Sequence, residues 1–324
     1  MEKKLMLAQE ELKAKLELIA VQRSPEGATE LARIANIPYD AELPITSAVI
    51  NEICKVARID KGEDYQYFPI SPETKTVYTV TDGGVTQVLV TPGGVSDIPF
   101  ITYNGPAEYV YLEKLMEAKY NPLALKQKAI MEALNRKETK DVIDVAIASA
   151  EGQLQTYHCD SGDSTLKFDK VEEMLRGINK YGSKFVLITG SNVTSDVRLL
   201  NYNEDKNQLI KLSDLGIEKV VPVNNFTYTH STIMTVLDAD KAILVAVSDS
   251  EDERPIHFVR RKIKDVYNEG QEKERIIVGS GPRLQVGVNP RWAYELAVIE
   301  QYGVVQPNPY AVAVFNRDSS YSWV

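Results

Sequence analysis

The stretch FVLITGSNVTSD, Phe185 to Asp196, sets Gly190, Ser191 and Asn192 between an apolar strand-like run and a helix-like one. A turn of that kind can hold a phosphate, because the first amides of a helix have no partner of their own. Neither GxxxxGK followed by Ser or Thr nor GxGxxG is present, so the simpler reading makes Ser191 or Asn192 a helix cap. His158, Cys159 and Asp160 suggest a thiol nucleophile or a ligand cluster, yet the remaining histidines, His230 and His257, sit in no recognisable motif. Asp160 to Asp163 and Asp249 to Glu253 are acidic enough to attract a divalent cation, but they lack EF-hand spacing and read as solvated turns. The one dense basic run is Arg260-Arg261-Lys262-Ile263-Lys264. On an alternating strand it puts Arg260, Lys262 and Lys264 on one face, either as a salt-bridging surface or as a contact for an acidic partner or nucleic acid. GxSxG and HExxH are absent. No catalytic, cofactor-binding or metal-binding residue is therefore assigned, and the sequence points to a protein whose function is its shape.

The elements that would position such groups can be read next. With 324 residues, 44% of them hydrophobic, the chain can bury a sizeable core as two domains or one elaborated one. Its 37 basic and 46 acidic residues give a net charge of -9, which argues against a broad grip on nucleic-acid phosphates. Cys54 and Cys159 have no CxxC partner, so neither a disulfide framework nor a thiolate zinc site is expected, and a reducing cytosol is the natural setting. The first residues lack a signal-peptide apolar core, and no run of about 18 apolar residues occurs, so neither secretion by that route nor a membrane span is expected.

Residues 3 to 22 place Leu5, Leu12 and Ile19 seven apart, an amphipathic helix that docks on a neighbour or lies on its own core. Thr46 to Ile59 predicts a short helix with Val49, Ile50, Ile53 and Val56 on one side. From Tyr65 to Thr102, KTVYTV and VTQVLV flank Asp82-Gly83-Gly84, a hairpin signal, and Pro92-Gly93-Gly94 makes a second turn. So long a ribbon with few bulky residues must lean on the body or on another subunit. Helical periodicity covers Ala107 to Lys119, Leu123 to Asn135 and Thr139 to Ala150, with Pro122 in the first turn and Gly152 as the stop. Beyond a strand in QLQTYHC, helices are predicted at Phe168–Asn179 and Val193–Asn201, and strands at Lys184–Thr189, Lys219–Val223 and Ala242–Val247. Strand candidates Pro255–Ile263, Arg275–Val278, Tyr294–Val305 and Tyr310–Phe315 close the chain.

This order of elements resembles the major capsid protein of tailed double-stranded DNA bacteriophages, the Hong Kong 97 fold, which encapsulin nanocompartments share. Three stretches carry the resemblance: AEYVYLEKLMEAKYNPLALKQKAIMEALNRKETKDVIDVAIASA to a spine helix and its lead-in, FDKVEEMLRGINKYGSKFVLITGSNVTSDVRLLNY to a helix, strand and helix of the axial domain, and YELAVIEQYGVVQPNPYAVAVFN to the closing strands. The resemblance implies an α+β fold with an N-terminal arm at 1–61, an E-loop hairpin at 62–105, a peripheral domain at 106–165 plus 250–303, and an axial domain at 166–249 plus 304–318. It further implies a non-enzymatic shell subunit without a cofactor, assembling as hexamers and pentamers in the bacterial host cytoplasm and enclosing double-stranded DNA without reading its sequence. Scaffolding and portal proteins would be its partners, the scaffold as a separate chain, and the virion capsid its location. Some members cross-link through isopeptide bonds; Lys75 is the tempting lysine in the ribbon, and no partner for it is assigned. An encapsulin-like compartment is the alternative, followed by an α/β enzyme binding a phosphate-type ligand at Gly190 to Asn192.

Overall fold

The computed structural model describes residues 47–67, 69, 96–104, 108–111, 122–160, 165–200, 202–203, 208–209, 212–223, 235–248, 250, 253–264, 272–285 and 291–317. The predicted helix at 3–22 and the body of the ribbon lie outside these residues. Helix α1 (Ala48–Ile53) starts where the Ser47 hydroxyl accepts from the Ile50 amide, and it buries Val49, Ile50 and Ile53. It ends earlier than its periodicity predicts, because Cys54 turns extended and β1 (Cys54–Ile59) pairs in parallel with residues 256–261. Arg254 donates from Nη1 to the carbonyls of Asn51 and Cys54 at 2.6 and 2.9 Å, placing a cation where the helix leaves carbonyls unpaired. Strands β2 (Gln66–Tyr67) and β3 (Ser96–Asp97) pair antiparallel at the foot of the predicted ribbon.

β4 (Ile101–Asn104) is followed by β5 (Glu108–Tyr111), a strand where helix was expected, because Tyr109 and Val110 pair with Glu295 and Tyr294 of a much later strand. The helical runs at 123–135 and 139–150, expected to make a long, nearly continuous element, are one 31-residue helix, α2 (Pro122–Gly152), about 46 Å long at 1.5 Å per residue. It closes with Leu154 N–H on the Glu151 carbonyl and Gln155 N–H on the Ala150 carbonyl. That C-terminal turn requires a left-handed residue, normally Gly; here Leu154 takes it, at φ 57° and 76% exposed.

The second half alternates as predicted. β6 (Thr156–His158), α3 (Phe168–Ile178), β7 (Lys184–Thr189) and α4 (Ser191–Leu199) are followed by the short pair β8 (Tyr202–Asn203) and β9 (Gln208–Leu209). Then come β10 (Ile217–Pro222), β11 (Lys241–Val247), β12 (Ile256–Arg261), β13 (Ile263–Lys264) and β14 (Glu272–Lys273). The last strands are β15 (Arg275–Gln285), β16 (Arg291–Val305) and β17 (Val312–Asn316).

These strands make two principal sheets. One has the order β10-β7-β11-β17-β6, so the last described strand is seated inside the sheet that β7 begins. Alternation divides its side chains. Val186, Ile188, Ile243, Val245, Val312 and Val314 face a core shared with Val142, Ile143 and Ala146 of α2, while Phe185, Leu187, Leu244, Ala313 and Phe315 face α3 and α4. The other sheet has the order β1-β12-β16-β15, with β4 and β5 on the opposite side of β16. α2 also contacts β16, and Phe258 and Tyr302 belong to its core, so one helix ties both sheets together. Gly303 lets β16 pass the segment after β3, since a Cβ there would strike Ile98 and the Pro99 carbonyl.

Candidate functional site

The Gly190 turn, the sequence's best ligand candidate, is already filled by its own chain. Gly190 itself is the N-cap, with Ser191 and Asn192 inside the first turn of α4. The Asn192 amide donates to the Ala239 carbonyl at 3.0 Å and the Gly190 amide to the Lys241 carbonyl at 2.9 Å. The Asn192 side chain donates to Asp240 at 2.8 Å. Gly190 is needed because the Asp238 and Ala239 carbonyls occupy the space a Cβ would take. The amides of Gly190, Asn192 and Val193, which a phosphate would draw on, are thus spent on the 238–241 loop.

The other sequence candidates separate in space. Cys159 is buried beside α3 and its thiol donates to the Thr165 carbonyl at 3.4 Å, while Asp160 pairs with Lys170 at 3.0 Å. Cys54 is buried in the other core cluster, where desolvation pushes its thiol pKa well up, so it is a poor nucleophile. His257, on β12, meets Tyr65 through a 3.4 Å Nδ1 contact beside the foot of the ribbon. Glu253 accepts from Ser248 at 2.7 Å; Asp249, Asp163, Lys75 and His230 lie outside the described residues. Among the described residues no group of three or more His, Cys, Asp or Glu is placed to hold a metal.

The basic run needs the clearest correction. Strand β12 ends at Arg261, so Arg260, Lys262 and Lys264 do not share an exposed face. Lys262 pairs with Asp60 at 2.7 Å, and Arg261 lies 4.0 Å over the Phe100 ring and reaches Asp64. Arg260 points inward and is 1% exposed.

Around Arg260 lies the constellation that the sequence did not reveal. Arg58 on β1 pairs with Glu274 at 2.7 Å, and Glu274 reaches Arg260 Nη1 at 3.4 Å. Arg260 grips Glu138 of α2 through Nε at 3.0 Å and Nη2 at 2.7 Å to each oxygen. Glu138 also faces Arg275 Nη2 at 3.0 Å, and Arg275 Nε donates to Glu300 Oε2 at 2.6 Å. Asn135 adds a 2.7 Å acceptor for Arg275. The result is a chain of alternating charge, Arg58, Glu274, Arg260, Glu138, Arg275, Glu300, running from the surface to a fully buried end and joining β1, β12, β15, β16 and α2. The strands supply its order, because Arg275 and Glu300 are direct cross-strand partners on β15 and β16.

Burial makes this chain directional. Removing two charges from water costs several kcal/mol per ion unless geometry and hydrogen bonds compensate. Glu138 has both oxygens engaged, whereas Glu300 Oε1 and Arg275 Nη1 are buried without a hydrogen-bond partner. Glu300 is accordingly pushed up to about 7, first by desolvation and then by Glu138, against the pull of Arg275 and Arg260. Arg275 is held above its usual value because Glu138 and Glu300 outweigh its own desolvation. Beside the chain, Tyr302 stacks on Tyr103 at 4.3 Å and donates to Asp141 at 2.7 Å. Burial, then Asp141, raises both phenols, so they act as donors and packing. A groove of about 250 Å³ opens there between Ile101, Tyr103, Val145 and Val304. These arrangements can hold elements together; they present no nucleophile beside a base.

Two sheets sharing one long helix make a mixed α/β fold that resembles the Hong Kong 97-like fold of phage capsid chains. A chain of Mycobacterium phage Cain superimposes with a TM-score of 0.53 at 12% identity, covering 85% of this chain and 92% of that one. A chain of Mycobacterium phage Adephagia gives 0.52 at 13% identity, over 86% and 92% respectively. A looser likeness, TM-score 0.48 at 14% identity over 94% and 98%, is to the virus-like particle from Pyrococcus furiosus. No family model matches the chain, and no curated protein does. No helix among the described residues is long and apolar enough to cross a membrane.

Proposed function

We propose that this protein is a capsid subunit that assembles with copies of itself, as hexamers and pentamers, into a closed icosahedral shell around phage double-stranded DNA. The observation that carries the reading is the likeness in fold to the phage chains over more than four fifths of this chain. In this assignment α2 is the spine of the peripheral domain, with the six-stranded sheet beside it, and the five-stranded sheet is the axial domain. The β2–β3 pair is the foot of the E-loop, whose span is 62–105, and residues 1–61 form the arm, except that β1 is paired into the six-stranded sheet. The role is structural and not enzymatic, in keeping with a polar interior committed to holding sheet to helix. Net charge of -9 suits a lining that must let packaged DNA slide. Scaffolding and portal proteins are the proposed partners, and the virion, assembled in the host cytoplasm, is the location.

Negative-stain microscopy with light scattering on the purified 324-residue chain tests this. Polyhedral shells, or capsomers that close when a scaffold is added, are expected; a monomer or dimer under every condition overturns it. The contents then divide the class. Nucleic acid supports the phage reading, and an enclosed enzyme supports an encapsulin-like compartment instead. Deleting 74–91 is expected to leave a folded subunit that no longer assembles, read by the same two measurements.

A further inference from the structure

The chain of alternating charge ends at a residue whose bonding is incomplete, and that end lies where helix and sheet meet. Glu300 is 1% exposed, and one of its oxygens is bonded while the other has no partner. Across the strands it is flanked by Arg275 on β15 and by Tyr103 on β4. From α2 it faces Glu138, with Lys137 lying over the Tyr103 ring and Asp141 bonded to Tyr302, and from β12 it faces Arg260. Arg275 is the shared element, donating Nε to the strand carboxyl and Nη2 to Glu138 and Asn135 of the helix.

We infer that Glu300 is a proton-operated latch between α2 and the six-stranded sheet: neutral, it leaves Arg275 to the helix; ionised, it competes with Glu138 for the same guanidinium. The reasoning is electrostatic. An ionised Glu300 sets a second buried carboxylate against Glu138, with one of its oxygens unbonded; a proton removes the first penalty and lessens the second, since an unbonded neutral oxygen costs less than an unbonded charged one. Only one proton moves, between Glu300 and water, and no other group need change.

The sign of the pH effect follows from linkage. The folded-state pKa of Glu300 lies above its unfolded value, so the native chain holds a proton that the unfolded chain has released. That stabilisation is complete below the unfolded value of about 4.3 and is lost as pH rises through about 7. The inference concerns the subunit alone and does not depend on what it assembles into.

Denaturant unfolding of the 324-residue chain between about pH 5 and pH 8 tests the latch. The folded-to-unfolded ratio of wild type, taken relative to Glu300→Gln at each pH, is expected to fall by about tenfold or more across that window. A Glu300→Gln variant with the same pH profile as wild type overturns the inference. Infrared difference spectra add a test that needs no unfolding. A buried protonated-carboxyl band should disappear as pH rises through neutrality, and Arg275→Lys, which keeps the charge but loses the Nε donor, should move that loss to higher pH. No such band, or no movement, also overturns it.

Discussion

The two sheets flank the same helix but are held by different physics. Around the five-stranded sheet both faces are apolar: β11, KAILVAV, is buried from Ala242 to Val247, and its neighbours Leu187, Val314 and Phe315 alternate between the two cores. The six-stranded sheet meets α2 through Glu138, Arg260, Arg275 and Glu300 as well as through Phe258 and Tyr302. Apolar packing is non-directional and tolerates small shifts, whereas a buried ion chain works only in one geometry and only in one state of charge. The difference locates sensitivity. The five-stranded sheet should respond to lost volume, and the six-stranded sheet to a lost partner or a changed pH.

The largest expected effect is at the centre of the ion chain. Glu138→Gln takes the negative charge from two buried guanidinium groups and should cost about 3 to 5 kcal/mol in denaturant unfolding. Replacing Glu138 and Arg260 together by Leu and Met should cost less than Glu138→Gln alone, because Arg260 then leaves no unpaired charge behind and Arg275 keeps Glu300 and Asn135. If the double variant is the worse of the two, the distinction between the sheets fails. Next comes Leu187→Ala, 1% exposed, which should cost about 3 kcal/mol and show the same loss at pH 5 and pH 8. A strong pH dependence there would mean that the two regions are coupled more tightly than their cores suggest. The smallest effect has the opposite sign. Leu154→Gly relieves a left-handed, exposed leucine at the end of α2 and should stabilise by roughly 0.5 to 1 kcal/mol.

Periodicity made the apolar half of this comparison legible. Val171, Met174, Leu175 and Ile178 of α3 are buried as their spacing predicts, and the strands at 184–189 and 242–247 fall where their composition puts them. The errors have one cause, pairing with distant strands. Val49, Ile50, Ile53 and Val56 fit one face of a helix, yet β1 takes over at Cys54 because Ile256 to Arg261, some 200 residues later, offers it a partner. AEYVY reads as helix until β16 claims Glu108 to Tyr111. The candidate site was hidden for a related reason. Glu138 sits among NRKETKD, an ordinary solvated pattern, and Glu300 is a lone acid in AVIEQYGVV. Nothing local says that strand register will bring Arg275 beside Glu300 or that Arg260 will turn inward. The Gly190 turn was visible, but the carbonyls that occupy it lie nearly fifty residues on.

The seat of β17 also orders events during synthesis. Thr156 of β6 pairs with Val314, about 160 residues further along, and β11 must likewise wait for its second neighbour. While the ribosome is still making the intervening chain, β11 and β6 have nothing between them, and the nascent protein carries an open, hydrophobic slot. Only when residues 312–316 emerge can that slot close. A chain built this way cannot complete its five-stranded sheet until residues 312–316 have been made.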